Sequence, residues 1–237
     1  MPFWQRRAMS PERGIDAGGA KFVEPMTALL ALSAAIEAHD PYTRGHSERV
    51  ARMACKVGLQ LRCDDVQLSL LRLGGTLHDV GKLVVRDAIL SKPGPLTADE
   101  IAEVQLHPEA GARLVALDRT LRPVLPAVLY HHERWDGAGY PTGRASTQIP
   151  LEARILSVVD CYDAMTSNRP YRAALAPEQA IEEVDRCSGT QFDPDVAVAF
   201  IEAWESGALG VTAALRAAST ASTRPRASFA RGGSPRR

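Results

Sequence analysis

A chain of 237 residues has room for one large domain or two small ones, with a sizeable core. Its 28 Lys and Arg balance 28 Asp and Glu, so no net field draws it to nucleic acid or to a membrane surface; a small anionic ligand would need locally placed cations. Cys55, Cys63, Cys161 and Cys187 show no CxxC spacing and fall in or near apolar runs, as reduced core thiols of a cytoplasmic protein would. No apolar run approaches the roughly 18 residues that span a bilayer, and the N-terminus lacks the apolar core of a signal peptide, so a cytoplasmic location is expected.

Residues 1–22 are polar and Gly-rich and read as a flexible leader to a domain over 23–210. From Pro25, an apolar face of Leu29, Leu30, Leu32 and Ile36 predicts a helix that stops at His39-Asp40-Pro41, where proline forbids continuation. A second helix runs through Val50, Met53, Val57 and Leu61. A third starts at the capping residues Asp64-Asp65 and carries Val66, Leu68, Leu70, Leu71 and Leu73 towards His78. Lys92-Pro93-Gly94-Pro95 is a turn, and Thr97 to Glu100 has the capping-box pattern of a helix leading to His107. The next helix crosses Val124 to His132 with an interruption at Pro126, and Gly137 to Pro150 is a long loop of the kind that carries function. Helices over Leu151 to Met165, Glu178 to Arg186 and Asp195 to Trp204 complete an all-α reading, since no convincing alternating strand occurs. Residues 211–237 hold six arginines (Arg216, Arg224, Arg226, Arg231, Arg236 and Arg237) and no acid; they read as a disordered, solvated basic tail, the rival being an arm for an acidic partner or nucleic acid.

Two segments carry the chemistry: Leu77-His78-Asp79-Val80-Gly81-Lys82 and Tyr130-His131-His132-Glu133-Arg134-Trp135-Asp136-Gly137-Ala138-Gly139-Tyr140-Pro141. Adjacent residues on a helix point about 100° apart. A His-Asp or His-His pair can therefore serve two metal ions a few ångström apart, which suits a bridged centre that hydrolyses a phosphate ester. His39-Asp40 is read instead as a helix end with Asp40 in a turn. His78-Asp79 follows a strongly apolar helix, where two such side chains are costly to bury unless they bind metal or pair with charge. Asp160 is a lone acid in the apolar run Ile155 to Val159, with Asp163 three residues on as its supporting partner. Imidazole and carboxylate donors suit Fe, Mn, Zn or Ni rather than Ca or Mg alone.

The order His46 … His78-Asp79 … His107 … His131-His132 … Asp160 resembles the HD-GYP family of HD-domain metal phosphohydrolases. The likeness runs from about Met26 to Phe200 and includes Tyr42-Thr43-Arg44-Gly45-His46, Lys92-Pro93-Gly94-Pro95-Leu96-Thr97, Arg169-Pro170-Tyr171-Arg172 and Gln191-Phe192-Asp193-Pro194. It implies an all-helical HD-domain bundle that hydrolyses the bacterial second messenger cyclic di-GMP to linear pGpG, in some members onward to GMP. It further implies metal ligands at His46, His78, Asp79, His107, His131, His132 and Asp160, with iron or manganese as the metal. Lys82, which on a continued helix would share the metal-facing side, resembles the family lysine that contacts the scissile phosphate. Arg169 and Arg172 match positions that hold ligand phosphates, and the loop at Gly139-Tyr140-Pro141 shapes the entrance and offers a surface to signalling proteins. One departure is Tyr42, which stands where members with a third metal carry glutamate; a phenol with a pKa of about 10 is a poor ligand, so two metals are expected. The rival readings are a cyclic di-GMP receptor or adaptor with little or no turnover, and an HD phosphohydrolase of another nucleotide.

Overall fold

The computed structural model describes residues 25–39, 45–168 and 173–210, and among them no β-strand forms. The leader, Asp40, Tyr42, Arg169, Arg172 and the basic tail lie outside the described residues. The helices are α1 (Pro25–His39), α2 (His46–Gln60), α3 (Asp65–Leu77), α4 (Asp87–Leu90), α5 (Ala98–Val104), α6 (His107–Val115), α7 (Leu125–Tyr130), α8 (Leu151–Thr166), α9 (Pro177–Arg186) and α10 (Pro194–Glu205). Short 3₁₀ turns occupy Val80–Val84, Arg119–Val124 and Ser146–Gln148.

Local signals place most boundaries. The Asp64 side chain accepts from the Gln67 amide and the Gln67 side chain accepts from the Asp64 amide, closing a capping box at the start of α3. Thr97 and Glu100 close a second one before α5. Pro126 departs from expectation: instead of interrupting a helix it sits in the first turn of α7, where its missing N–H has no intrahelical partner to lose. The break falls one turn earlier, at Pro123 in the 3₁₀ segment. α3 runs to Leu77 with His78 as its helical cap, as expected, but it does not continue to Lys82, which lies in the 3₁₀ turn that follows.

The apolar faces bury in two clusters. In the larger one, α8 contributes Ile155, Leu156, Val158, Val159 and Tyr162 against Val50, Met53 and Val57 of α2, Leu71 of α3, Val184 of α9 and Val196 and Phe200 of α10. The smaller one joins Leu29, Leu77, Val80, Val115, Leu121, Val124 and Val128. Each fully buried Leu, Ile or Phe stabilises the fold by about 1.5–3 kcal/mol relative to exposure. The polar residues of interest lie at the seam. Asp160 and Asp163 ride on the helix that fills the large cluster, whereas Leu77, Val80 and Val128 of the small one bracket His78, Asp79 and His131.

Two backbone approaches bring the seam together. A Cβ on Gly81 would stand 1.9 Å from the His107 carbonyl oxygen and 2.4 Å from the Gly111 amide, so only glycine lets the chain after Asp79 lie against α6. A Cβ on Gly139 would stand 2.3 Å from the Arg134 amide, so the loop after α7 folds back tightly over His132-Glu133-Arg134. No helix among the described residues is long and apolar enough to cross a membrane. The four cysteines are free, with Cys187 buried and the other three half-buried.

Candidate metal centre

His78, His107 and His131 each sit at a helix boundary, with Nδ1 donating to the carbonyl three residues earlier: Gly75 at 2.8 Å, Val104 at 2.7 Å and Val128 at 2.7 Å. His46 Nδ1 instead donates to Asp163 Oδ2 at 2.7 Å. With the proton fixed on Nδ1, each Nε2 turns its lone pair inward. These lone pairs converge: His46 Nε2 lies 3.3 Å from His78 Nε2, and His107 Nε2 lies 3.2 Å from His131 Nε2. Two lone pairs facing each other at that range repel unless a cation, a proton or a metal ion, stands between them. The donor chemistry therefore fits a metal.

Two sets of three donors result, His46–His78–Asp160 and His107–His131–His132, the donor atoms of each lying within 4.8 Å of one another. Asp79 faces both. Its Oδ2 is 3.4 Å from His78 Nε2 and 3.8 Å from His46 Nε2, while its Oδ1 is 3.5 Å from His107 Nε2. Asp160 Oδ1 approaches His46 Nε2 at 3.2 Å. Lys82 Nζ donates to Asp79 Oδ2 at 2.6 Å, so the lysine reaches the centre from the 3₁₀ turn.

The ionisation pattern matches this arrangement. Burial alone would lower His46, but hydrogen bonds to Asp160 and Asp163 outweigh it and raise its pKa to about 10. Burial dominates at His132, pushed down to about 4, and lowers His107 and His131 as well. Burial would raise Asp79, yet Lys82 and the neighbouring histidines hold it well below the usual carboxylate range. Asp160 is likewise held low against burial by His46. At neutral pH Asp79 and Asp160 are bare carboxylates and His107, His131 and His132 are neutral imidazoles, while on His46 a proton stands in for the cation.

Supporting contacts come from residues that sequence reasoning reached in part. Asp163, expected as a partner, accepts both His46 Nδ1 and a two-pronged Arg49, with Nε at 2.7 Å and Nη2 at 2.9 Å. Arg49 was not foreseen; its position three residues after His46, on the same helix face, is the signal that could have found it. Glu133 was also missed. It is buried, and its Oε1 accepts from both the amide and the hydroxyl of Thr142 at 2.7 Å. An acid following two histidines in a buried segment is the available clue. Glu133 thereby pins the loop in which Tyr140 stacks on His132, ring centres 4.9 Å apart and planes at 26°. The Tyr140–Pro141 bond is cis.

Of the residues singled out in the sequence, the structure thus gathers His46, His78, Asp79, Lys82, His107, His131, His132, Tyr140 and Asp160 in one place. Arg169, Arg172 and Tyr42 lie outside the described residues.

The chain matches the model of a family described as HD domain over residues 31–196. It belongs to the HD domain family. Membership agrees with the HD-GYP branch expected from the motifs. The chain is 40% identical over 209 residues to a cyclic di-GMP phosphodiesterase of Pseudomonas aeruginosa, covering 83% of this chain and 50% of that one. It is 38% identical over 160 residues to 3′3′-cGAMP-specific phosphodiesterase 3 of Vibrio cholerae, covering 68% of this chain and 35% of that one. The fold is similar to the crystal structure of a Vibrio cholerae cyclic GMP-AMP-specific phosphodiesterase, with a TM-score of 0.57 at 19% identity, over 81% of this chain and 52% of that one. The chain spans about half the length of the first curated relatives it matches, at 50%, 46% and 51%.

Proposed function

We propose that this HD domain is a metal-dependent phosphodiesterase that hydrolyses cyclic di-GMP to linear pGpG. The observation that carries the reading is the pair of facing donor sets with Asp79 between them and Lys82 alongside. Relatives named as cyclic di-GMP phosphodiesterases supply the substrate class. His46, His78 and Asp160 would hold one ion, His107, His131 and His132 a second, and Asp79 would bridge them. Iron or manganese is the metal the resemblance favours, and Tyr42 in place of a glutamate supports two ions rather than three. We take residues 23–210 as the domain and assign it to the cytoplasm, where a second messenger is met and free thiols persist.

Divalent ions held there would supply Lewis acidity, neutralising phosphate charge and lowering the pKa of water. The protein groups do the rest. Backbone carbonyls and Asp163 hold the imidazoles in fixed tautomers, so no reorganisation is needed when charge develops. Lys82 offers a cation next to Asp79 to the equatorial oxygens of the scissile phosphate, where charge grows in the transition state. By the family resemblance, Arg169 and Arg172 would hold ligand phosphate. Tyr140, fixed over His132 through the loop that Glu133 anchors, walls one side of the entrance.

A second reading has its own support, since 3′3′-cGAMP is the substrate in the name of a 38% identical relative. The test is turnover by protein reconstituted anaerobically with Fe(II) or Mn(II), offered cyclic di-GMP, 3′3′-cGAMP and other cyclic nucleotides, with products separated by chromatography. Release of pGpG at the highest kcat/KM of the panel is expected. Binding of cyclic di-GMP with no product would identify a receptor, and faster turnover of another nucleotide would move the substrate.

A further inference from the structure

The first four N–H groups of a helix have no intrahelical acceptor, and the residue before the helix commonly caps one with its side chain. α2 begins after Gly45, which has no side chain to do so. The cap comes instead from α1. Glu37 Oε2 accepts from the Gly45 amide at 3.0 Å and Oε1 from the Ser47 amide at 2.6 Å, a charged acceptor at the positive end of the helix. α1 is itself held in place, with Leu29 buried and the Ser33 hydroxyl donating to the Thr76 carbonyl at 2.8 Å.

His46 lies between the two clamped amides. It differs from His78, His107 and His131, whose rings are fixed by a carbonyl three residues earlier in their own segment. His46 Nδ1 is held instead across the packed chain, by a carboxylate on α8. Its ring is aimed by Asp163 and Arg49, and its backbone is fixed by Glu37.

We infer that Glu37 is a positioning residue for the metal centre: by clamping the first turn of α2 it sets the place of His46 Nε2 against His78 and Asp160. The inference rests on the metal-centre reading above. It concerns the His46–His78–Asp160 set alone, because His107, His131 and His132 are carried by other elements.

The experiment is a chelator-competed Mn(II) titration of the full chain that resolves the two ions, alongside amide exchange of Gly45 and Ser47 in metal-free protein. Glu37→Ala, Glu37→Gln and, as a control, Asp64→Ala are compared. Asp64→Ala removes a cap of the same kind from α3, at the end remote from His78. Glu37→Ala should weaken the ion at the His46 set by about 10- to 100-fold, the range seen when an outer partner of a metal ligand is lost. The ion at the other set should change by less than about threefold, and both amides should exchange faster. Glu37→Gln, which keeps one acceptor oxygen, should recover part of the loss, and Asp64→Ala should leave both affinities in place. Unchanged affinity at the His46 set, equal losses at both sets, or an equal effect of Asp64→Ala would overturn the inference while leaving the two-ion reading intact. Wild-type protein that binds no divalent ion would overturn both.

Discussion

Asp79 is the residue on which the two donor sets depend, since one oxygen faces each. Asp79→Ala would leave two cations without the charge between them. It should lower metal affinity at both sets by more than about a hundredfold, beyond the range of an outer-partner change, while the circular dichroism spectrum stays helical. Elemental analysis after desalting checks this, and retention of two ions would remove Asp79 from its bridging role. Lys82 makes a contrasting case, because an ammonium cannot ligate a divalent ion. Lys82→Ala should retain both ions and lose about 2–4 kcal/mol of transition-state stabilisation, the effect of deleting one preorganised donor, seen in kcat rather than KM. Arg169→Ala and Arg172→Ala should mainly raise KM if they hold a phosphate equally in ground and transition states, and Arg169→Lys should recover only part of the lost affinity. Steady-state kinetics on variants with the metal counted in each separates these outcomes.

Elements deliver these side chains through close backbone contact, and Gly81 is the sharpest instance. Gly81→Ala would force its methyl into the His107 carbonyl, so the turn after Asp79 and α6 must part. A loss of stability of about 1–3 kcal/mol, as for overpacking elsewhere, is expected in urea denaturation, together with weaker metal binding. An unchanged midpoint would show that α6 yields freely. Such contacts also mark what could be read from the sequence. Asp64, Thr97 and Glu100 announce helix starts because capping is a local exchange of hydrogen bonds, complete within four residues. The ligand-type residues were legible because a buried His-Asp or His-His pair is too costly to be idle. Pro126 misled because proline is equally at home breaking a helix and opening one, and only the neighbouring turn decides. The 3₁₀ turn holding Lys82 was hidden, since five residues are too few to show a period. Glu133 and Arg49 stand near the histidines in sequence, but their partners, Thr142 and Asp163, are 9 and 114 residues away, so the sequence marks the positions and the packed chain supplies the contacts.

For the molecule as a whole, the shifted groups make the stability of the metal-free protein depend on pH with opposite signs. The His132 pKa is about 4 in the folded state against an ordinary 6.5, so the unfolded chain binds the extra proton between these values. Stability therefore falls as pH drops from about 6.5 towards 4, and the lowered His107 and His131 act in the same direction. Asp79, Asp160 and Asp163, all held below the usual carboxylate range, add losses further down. His46 works in reverse. Its folded pKa of about 10 gives stability that is fully present below 6.5 and lost as pH rises through about 10. Thermal unfolding in chelator should thus peak between about pH 6 and 7 and decline on both sides. A melting temperature that rises steadily from pH 7 to 10 would contradict the His46 assignment.

Two ions are proposed for this HD domain, one in each donor set, with Asp79 between them. An anomalous-scattering crystal structure of anaerobically purified, Fe- or Mn-loaded protein tests this most directly. Two peaks are expected, one among His46, His78 and Asp160 and one among His107, His131 and His132, each in contact with a different oxygen of Asp79. A single peak, a third well-coordinated ion, or two ions that Asp79 does not touch would contradict it.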